Sequence, residues 1–275
     1  MGSPLASHYP SHPPPVTVPL MVFPDHPCSY LPGRPATSRG FVVGEMPGSV
    51  YHRFMDAGFR RSGKLMYQPV CRGCRKCVPL RVPVQSFRPS KSQRRSCRRN
   101  EDLSVGVDLP QATQEKYELY QRYTTQWHGK SPAEDGEDGD GGGWETFESF
   151  LYDSPVDTLE FCYRDSSARL LAVGICDICA DSLSSVYFYF DPVEAKRGPG
   201  TFGAVYEIEF ARDQRIPHYY LGYWVSGCGA MSYKASFRPC EILDSDGRWR
   251  TLAFALERAA ESAGGCGADH SLLRS

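Results

Sequence analysis

The chain has 275 residues, of which 41% are hydrophobic and 23% are charged, and its formal net charge is −1. This composition is typical of a globular protein and excludes a fully disordered chain, a coiled coil and a collagen-like fibre. No apolar stretch approaches the ~20 residues that cross a bilayer, and no basic segment followed by an apolar one marks a secretory signal. We therefore expect a cytoplasmic protein with no membrane contact.

The small net charge hides two blocks of opposite sign. Between Arg53 and Arg99 there are fourteen Lys or Arg and one acid, whereas between Glu101 and Asp165 there are sixteen Asp or Glu and four Lys or Arg. The basic block indicates a polyanionic partner, whose condensed counterions are released on binding. The two blocks are equally consistent with solvated faces that attract each other.

The N-terminal third predicts a tail, a loop, a helix and a strand. Residues 1–22 form a Pro-rich tail that we expect to be disordered. Residues 27–34 predict a constrained loop, and residues 49–61 predict a helix that is capped by Ser49 and stopped by Gly63. Residues 78–84 alternate in polarity, which predicts a short strand, and its two prolines favour a sheet edge.

The rest of the chain predicts helices and strands in alternation. Ser90 is the predicted cap of a basic helical turn through Arg99. An amphipathic helix is predicted over 111–127, and an acidic, Gly-rich mobile loop over 132–143. The predicted elements after the loop are strands over 158–164, 169–178 and 183–190, a helix over 201–213, a strand over 218–225, a helix over 230–236, a strand over 241–243 and one weak helix in the tail.

Three meander strands, a Gly-rich turn into a helix and then strand, helix and strand is the order of a GNAT-type acyltransferase domain. We therefore predict an α/β (α+β) fold with four parts. These are the tail (1–22), an N-terminal Cys-rich, basic subdomain (23–108), a GNAT-like acyltransferase domain (109–250) and a C-terminal tail (251–275).

Four segments in this order resemble the bacterial aminoacyl-tRNA–protein transferases, the arginyl/leucyl-transferase family of the N-degron pathway. The first is PCSYLPGR at 27–34, and the second is YQPVCRGCRKCVPLRVP at 67–83. The third is FRPSKSQRR at 87–95 with RNEDL at 99–103. The fourth runs from YFYFD at 187–191 through the Gly-rich turn to YLGYW at 220–224 and MSYKASFRP at 231–239.

The resemblance implies transfer of an amino acid from the 3′ end of a tRNA to the α-amine of an acceptor protein, which marks that protein for degradation. The Cys-x-Tyr-Leu-Pro opening is more similar to the leucyl-transferring branch, whose acceptors begin with Asp or Glu. The partners are then aminoacyl-tRNA and such acceptor proteins. The sequence departs from the family pattern in its acidic insertion after Lys130 and in its extra C-terminal tail.

The basic block supplies the predicted tRNA-binding residues. If the segment after Ser90 is helical, four of them share one face at i, i+3, i+4 and i+7, and such a stripe contacts phosphates without recognising bases. A solvated helix that pairs with the acidic block is the alternative. The predicted tRNA-binding residues are Arg88, Lys91, Arg94, Arg95, Arg98 and Arg99.

The turn before the 201–213 helix is a predicted anion-binding site at Gly198, Gly200 and Thr201, because N–H groups at a helix N-terminus attract negative charge. We expect it to face the 3′ end of the tRNA or the aminoacyl ester. A Gly-Pro turn that only allows tight helix packing is the alternative.

Aminolysis of an activated ester requires alignment, removal of a proton and stabilisation of an oxyanion, with no cofactor for the transfer. Glu207 is our candidate base or amine-holding carboxylate, and Tyr223 is the second candidate catalytic side chain. A surface glutamate and core packing are the alternatives. The candidate substrate-binding residues are Tyr187, Tyr189 and Trp224 for the adenine or the amino acid, and Lys234 and Arg238 for the acceptor carboxylate.

The chain has eleven cysteines, three of them in a C-x-x-C-x-x-C motif. Cys71, Cys74 and Cys77, with Cys28 as the fourth thiolate, have spacing compatible with an iron–sulfur cluster or zinc. A reduced, metal-free turn is the alternative.

We therefore expect an aminoacyl-tRNA–protein transferase that transfers leucine to N-terminal Asp or Glu. The remaining alternatives are an arginyl-transferring enzyme, a coenzyme A-dependent N-acetyltransferase, and a non-catalytic regulator that binds RNA or an iron–sulfur cluster.

Overall fold

The computed structural model describes residues 17–128 and 143–254. Most of the predicted N-terminal tail, the acidic loop up to residue 142 and the chain after residue 254 lie outside these ranges. Within them, no helix combines the length and the apolar composition needed to span a bilayer.

The N-terminal elements form a small antiparallel sheet, one hairpin and one helix. Four strands pair in the order β1-β4-β6-β5, while β2 and β3 form a separate hairpin around the predicted loop at 27–34. The Cys28 N–H donates to the Arg34 carbonyl at 2.9 Å, which closes that loop. The elements are β1 (Met21–Val22), β2 (His26–Pro27), β3 (Pro35–Ala36), β4 (Ser38–Val42), α1 (Gly48–Asp56), β5 (Arg60–Ser62) and β6 (Leu65–Pro69).

The predicted helix over 49–61 is wrong at its C-terminal end, and the predicted cap at Ser49 is also wrong, because the helix begins at Gly48 and has no side-chain cap. Helix α1 ends at Asp56, and Gly58 then adopts a φ of 84°. This left-handed conformation suits glycine and reverses the chain. Arg60 therefore enters β5, which pairs with β6 in an antiparallel hairpin. At this position the pairing of β5 with β6 outweighs the helical propensity of the sequence.

The main sheet has eight strands in the order β14-β13-β7-β12-β11-β10-β9-β8. All neighbouring pairs are antiparallel except β11 and β12, which are parallel. The strands are β7 (Cys77–Pro83), β8 (Ser104–Asp108), β9 (Thr158–Arg164), β10 (Leu170–Cys179), β11 (Ser182–Phe190), β12 (His218–Val225), β13 (Glu241–Leu243) and β14 (Trp249–Thr251).

The predicted edge position of the 78–84 strand is wrong, since β7 lies between β12 and β13. Its prolines are tolerated because β13 is short and pairs only with Leu80 and Arg81. Pro79 and Pro83 lie outside the stretch that pairs with β13.

Helices cover both faces of the main sheet. Helix α5 lies on one face, where the ring of Phe188 packs against Gly203, and α2 packs on α5. Helix α3 lies on the other face, where Tyr120 contacts Tyr189 with ring centroids 5.7 Å apart. The helices are α2 (Lys91–Arg99), α3 (Gln114–His128), α4 (Trp144–Leu151), α5 (Pro199–Asp213) and α6 (Gly229–Ser232), with 3₁₀ turns at Val84–Ser86, Pro192–Arg197 and Tyr233–Ser236.

Several local signals after residue 89 are confirmed. Ser90 caps α2 in a capping box with Gln93, as its position before the basic helix predicts. The meander β9-β10-β11, followed by α5 and a β12 parallel to β11, is the predicted acyltransferase order, so the α/β fold class is confirmed. The predicted helix over 230–236 is instead α6 followed by a 3₁₀ turn.

The division between residues 108 and 109 stays a prediction, and the main sheet crosses it. Strands β7 and β8 belong to the 23–108 segment, yet they pair with β12 and β9 of the following segment.

Candidate active site

The main sheet opens between its two parallel strands. Strands β11 and β12 pair only over Ser182–Ser184 and His218–Tyr220, although β11 continues to Phe190 and β12 to Val225. The carboxyl ends of the two strands therefore separate beyond Ser184 and Tyr220. A crevice at the carboxyl ends of parallel strands is a common ligand-binding position in α/β proteins, which makes this opening the candidate active site.

A bulge in β12 shapes one wall of the opening. The register of β12 against β7 shifts between Tyr220 and Gly222, and Gly222 has a φ of 82°. A Cβ at Gly222 would lie 3.4 Å from the guanidinium of Arg60, so this arginine packs directly on the bulge. Bulges redirect side chains near functional sites, and glycine is the residue that tolerates this backbone conformation.

Glu207 is a residue of α5, the helix that covers one face of the main sheet, and it is almost completely buried, with 1% exposure. The hydroxyl of Tyr219 donates to Oε2, whereas Oε1 is buried without a hydrogen-bond partner in the described ranges. Burial raises the pKa of Glu207 to about 7, against the opposing effect of hydrogen bonds from Tyr219 and Cys176. Glu207 is therefore buried, and not on the surface as the alternative interpretation expects.

Tyr219 connects Glu207 to the edge of the opening. It is a β12 residue that still pairs with β11, through Leu183. The side chain of Ser185 lies near enough to the Tyr219 hydroxyl to influence its pKa. Ser185 is half-buried and is the first β11 residue beyond the paired stretch. Hydroxyl groups thus extend from the carboxyl of Glu207 to the opening.

Tyr223, the second catalytic candidate, is 3% exposed and donates its hydroxyl to the Gly58 carbonyl at 2.9 Å. Burial raises its pKa well above the ordinary value. The hydroxyl is therefore held neutral against the N-terminal sheet, where it positions β12 and is not free for proton transfer at neutral pH.

The two candidate cations for the acceptor carboxylate lie in different surroundings. Lys234 is half-buried, and its Nζ donates to the Tyr223 carbonyl at 3.2 Å. Burial and the nearby charge of Arg60 lower the pKa of Lys234 to about 7. Arg238 is exposed and donates to the Ala235 carbonyl at 3.3 Å. Lys234 is thus beside the opening, whereas Arg238 is on the surface.

The aromatic substrate-binding candidates occupy packing positions. Tyr189 is fully buried, and its hydroxyl lies 3.1 Å from that of Tyr152. Tyr187 is half-buried, with its ring centroid 6.2 Å from that of Tyr189 and 5.1 Å from that of Phe150. Trp224 is half-buried against the main core. A base could reach Tyr189 only by opening the core, so stacking there is not supported.

The turn before α5 has fewer backbone N–H groups available for an anion than the sequence predicts. Gly198 has a φ of 72°, but Pro199 has no N–H group, and the N–H groups of Thr201 and Phe202 both donate to the Gly198 carbonyl at 3.1 Å. Of the first four residues of α5, at most Gly200 therefore has an N–H group available to bind an anion.

Helix α2 brings the predicted tRNA-binding residues beside this turn. Ser96 donates to the Gly198 carbonyl at 2.8 Å, and Arg99 donates to the Lys196 carbonyl at 2.9 Å. All six residues of the predicted set are exposed, namely Arg88, Lys91, Arg94, Arg95, Arg98 and Arg99. We call these six residues the basic stripe. Other arginines of the basic block are used internally, as Arg81 pairs with Asp56 and Glu241.

Replacing Arg94 and Arg95 with Ala should weaken tRNA binding and reduce its salt dependence. Each lost phosphate contact reduces the slope of log affinity against log salt by roughly 0.7–0.9. Fluorescence titration with tRNA over a range of salt concentrations measures that slope. Arg248→Ala, at an exposed turn between β13 and β14, is the control. An unchanged slope in the double variant would place the RNA elsewhere.

The four predicted metal-ligating cysteines lie in one region. Burial, together with the neighbouring thiols of Cys71, Cys28, Cys74 and Cys228, raises the pKa of Cys77 to about 12. The Thr37 N–H donates to the Cys71 sulfur at 3.4 Å. Among the residues described, no group of three or more His, Cys, Asp or Glu has the placement of a metal site. The donor chemistry suits thiolate ligation, but a coordination cage is not formed, so metal binding stays a prediction.

Sequence reasoning did not select Arg60 and Ser185, two residues at the opening. Arg60 and Ser185 meet only through the tertiary fold, so no local pattern marks them.

Comparison with known proteins identifies the family. The model of the arginine-tRNA-protein transferase N terminus matches residues 26–95, and that of its C terminus matches residues 115–244. The aspartate/glutamate leucyltransferase of Hahella chejuensis is 41% identical over 233 residues, which cover 83% of this chain and 95% of that protein. The enzyme of the same name from Stenotrophomonas maltophilia is 40% identical, over 82% of this chain and 89% of its own.

Solved structures with similar folds share far less sequence. L-PGS from Bacillus licheniformis aligns with a TM-score of 0.46 and 14% identity, over 78% of this chain and 68% of that chain. FemX aligns with a TM-score of 0.46 and 11% identity, over 82% and 74%.

The sheet that opens beside a buried carboxylate is compatible with an acyltransferase, and the matched relatives make the chain an aminoacyltransferase. The chain belongs to the arginine-tRNA–protein transferase family, whose members matched here include the aspartate/glutamate leucyltransferases.

Proposed function

We propose that this enzyme transfers leucine from leucyl-tRNA to the α-amine of proteins that begin with Asp or Glu, in the cytoplasm, and so marks them for degradation. The observation that carries the proposal is the 41% identity to an aspartate/glutamate leucyltransferase over 83% of the chain. The basic stripe beside the turn before α5 supports an RNA donor.

The proposed reaction is aminolysis of an ester. The α-amine nitrogen of the acceptor attacks the carbonyl carbon of the leucyl ester, the new amide C–N bond forms, and the ester C–O bond breaks. The ribose oxygen of the tRNA leaves and takes up a proton. The α-ammonium has an ordinary pKa of about 7.7–8.0, so it loses one proton to bulk water before it attacks. The nitrogen loses a second proton as the amide forms, and the ribose oxygen takes up this second proton.

Glu207 is the proposed acceptor of that proton. Its carboxyl is too deep to touch the amine, so the proton moves along the hydroxyls of Ser185 and Tyr219. A pKa of about 7 lies close to that of the amine, which suits a proton acceptor near neutral pH. The same carboxyl returns the proton towards the leaving ribose oxygen.

Mass spectrometry of short peptides tests the donor and the acceptor together. Peptides that begin with Asp, Glu, Cys or Ala are incubated with the enzyme and either leucyl-tRNA or arginyl-tRNA. We expect addition of one leucine to the Asp and Glu peptides alone. Addition of arginine would favour the arginyl-transferring alternative, and acetylation from acetyl-CoA without any aminoacyl transfer would favour the acetyltransferase alternative.

A further inference from the structure

Arg60 is a buried cation that forms no ion pair with an acidic residue of the described ranges. Its residue exposure is 8%, and its guanidinium donates to the Ser184 hydroxyl at 2.8 Å and to the Ser185 carbonyl. Across residues 17–128 and 143–254, no carboxylate forms an ion pair with it. The next residue, Arg61, makes two hydrogen bonds with the Asp177 carboxylate, at 2.5 and 2.6 Å. Two adjacent arginines are thus buried, and only one of them is neutralised.

The guanidinium of Arg60 lies at the opening between β11 and β12. Ser184 is the last β11 residue that pairs with β12, and Ser185 is the first beyond it. On the other side the guanidinium contacts the Gly222 bulge, where a Cβ would come within 3.4 Å of it. Arg60 therefore bridges the two strands where they separate.

A second cation lies beside the first. Lys234 donates to the carbonyl of Tyr223, the residue directly after Gly222. The positive charge of Arg60 is near enough to lower the pKa of Lys234, while burial has the larger effect. Arg60 and Lys234 both lie at the Gly222 bulge, and the hydrogen-bond acceptors described for them there are neutral. Their positive charges repel each other, and an anion between them would stabilise both charges.

The burial of Arg60 favours a carboxylate over a nucleic-acid phosphate. Arg60 is almost covered by protein, so a small planar group at the end of a short side chain can reach it, whereas the phosphates of a polynucleotide meet the exposed basic stripe. A planar guanidinium also matches a carboxylate, with two parallel hydrogen bonds. Only two of its donor groups are taken by Ser184 and Ser185.

We propose that Arg60, assisted by Lys234, binds the side-chain carboxylate of the acceptor's first residue and so selects acidic N-termini. This inference rests on the proposed leucyl transfer to Asp or Glu. It replaces the pair of Lys234 and Arg238, which sequence spacing favours, with a pair that the fold assembles at the opening.

The test compares Asp-starting and Asn-starting peptides of otherwise equal sequence, with leucyl-tRNA as donor. Arg60→Gln should reduce kcat/KM for the Asp peptide by about 30-fold or more, mainly through KM, because a buried charge pair loses one partner. The Asn peptide should change little, so the preference for Asp collapses. Arg60→Lys keeps the charge but loses the planar fork, and it should retain an intermediate preference.

Arg53→Gln, an exposed arginine of α1, is the matched control and should keep the wild-type preference. Circular dichroism and thermal unfolding establish that each variant is folded. If Arg60→Gln does not fold, Arg60→Lys alone decides the question. An Asp preference that stays wild-type in the folded Arg60 variants overturns the inference.

Two other results also overturn the inference. A variant that loses affinity for leucyl-tRNA, and not for the peptide, assigns the cation to the RNA. Failure of the wild-type enzyme to add leucine to the Asp peptide refutes the proposed function itself, and that arm is measured first, so the two failures are distinguishable.

Discussion

Replacing Arg61 with Leu is expected to reduce the free energy of unfolding by about 3–5 kcal/mol, because the change leaves a buried carboxylate without its counter-charge. The side chains of Arg61 and Asp177 have no exposed area and are joined at 2.5 Å. Tyr51 and Thr158 donate to the same carboxylate, at 2.5 and 2.9 Å. The pair connects β5 of the small sheet to β10 of the main sheet, so its loss weakens the junction between the two sheets. Urea denaturation at neutral pH measures the effect.

An exposed ion pair on the same hairpin provides the control. Lys64 lies 2.7 Å from Asp153, with side-chain exposures of 41% and 46%. Surface pairs contribute about 0–1 kcal/mol, so Lys64→Met should leave the unfolding midpoint almost unchanged. If Arg61→Leu and Lys64→Met cost the same, the buried pair does not stabilise the junction between the sheets.

The parts of the fold that local patterns control could be predicted from the sequence. The strand over 158–164 and the strand over 218–225 have the bounds that their apolar runs predict. The cap at Ser90 depends on one side chain and on Gln93, three residues later, so local chemistry is sufficient to identify it. The edge position predicted for β7 failed, because no local signal shows that the short β13 pairs beside its prolines.

The candidate site likewise contains residues that local sequence patterns indicate and residues that only the tertiary fold brings together. Glu207 and Lys234 could be selected because each lies in a helical segment next to a recognisable motif. Arg60 could not, since in the sequence it is one of fourteen basic residues of the basic block. Its partners Ser184 and Ser185 lie more than a hundred residues away, and the separation of β11 from β12 that exposes it to the opening is a property of the assembled sheet.

Glu207→Gln is expected to reduce kcat for leucyl transfer by about 100-fold or more, as general-base contributions are typically 10²–10⁴-fold. Glu207 accepts a proton only when its carboxyl is ionised, and burial raises its pKa to about 7. The wild-type kcat should therefore rise with pH through about 7 and then level off, whereas the variant should lose this limb. Steady-state assays with an Asp-starting peptide from pH 6 to 9 measure both quantities.

Two further variants separate proton transfer from a structural effect. Tyr219→Phe removes the hydroxyl that joins Glu207 to Ser185, and it should reproduce most of the loss in kcat. Glu209→Gln, on the same helix, changes a more exposed carboxylate that pairs with Arg212, and it should leave kcat unchanged.

The free energy of unfolding should also depend on pH, because folding raises the pKa of Glu207. The stability that this group contributes is fully present below its unfolded pKa of about 4.5 and is lost as the pH rises through about 7. Glu207→Gln abolishes that loss, so above pH 7 the variant should be at least as stable as the wild type while it transfers leucine slowly. A variant that is active with an unshifted pH profile would show that the buried carboxyl of Glu207 takes no proton from the acceptor amine.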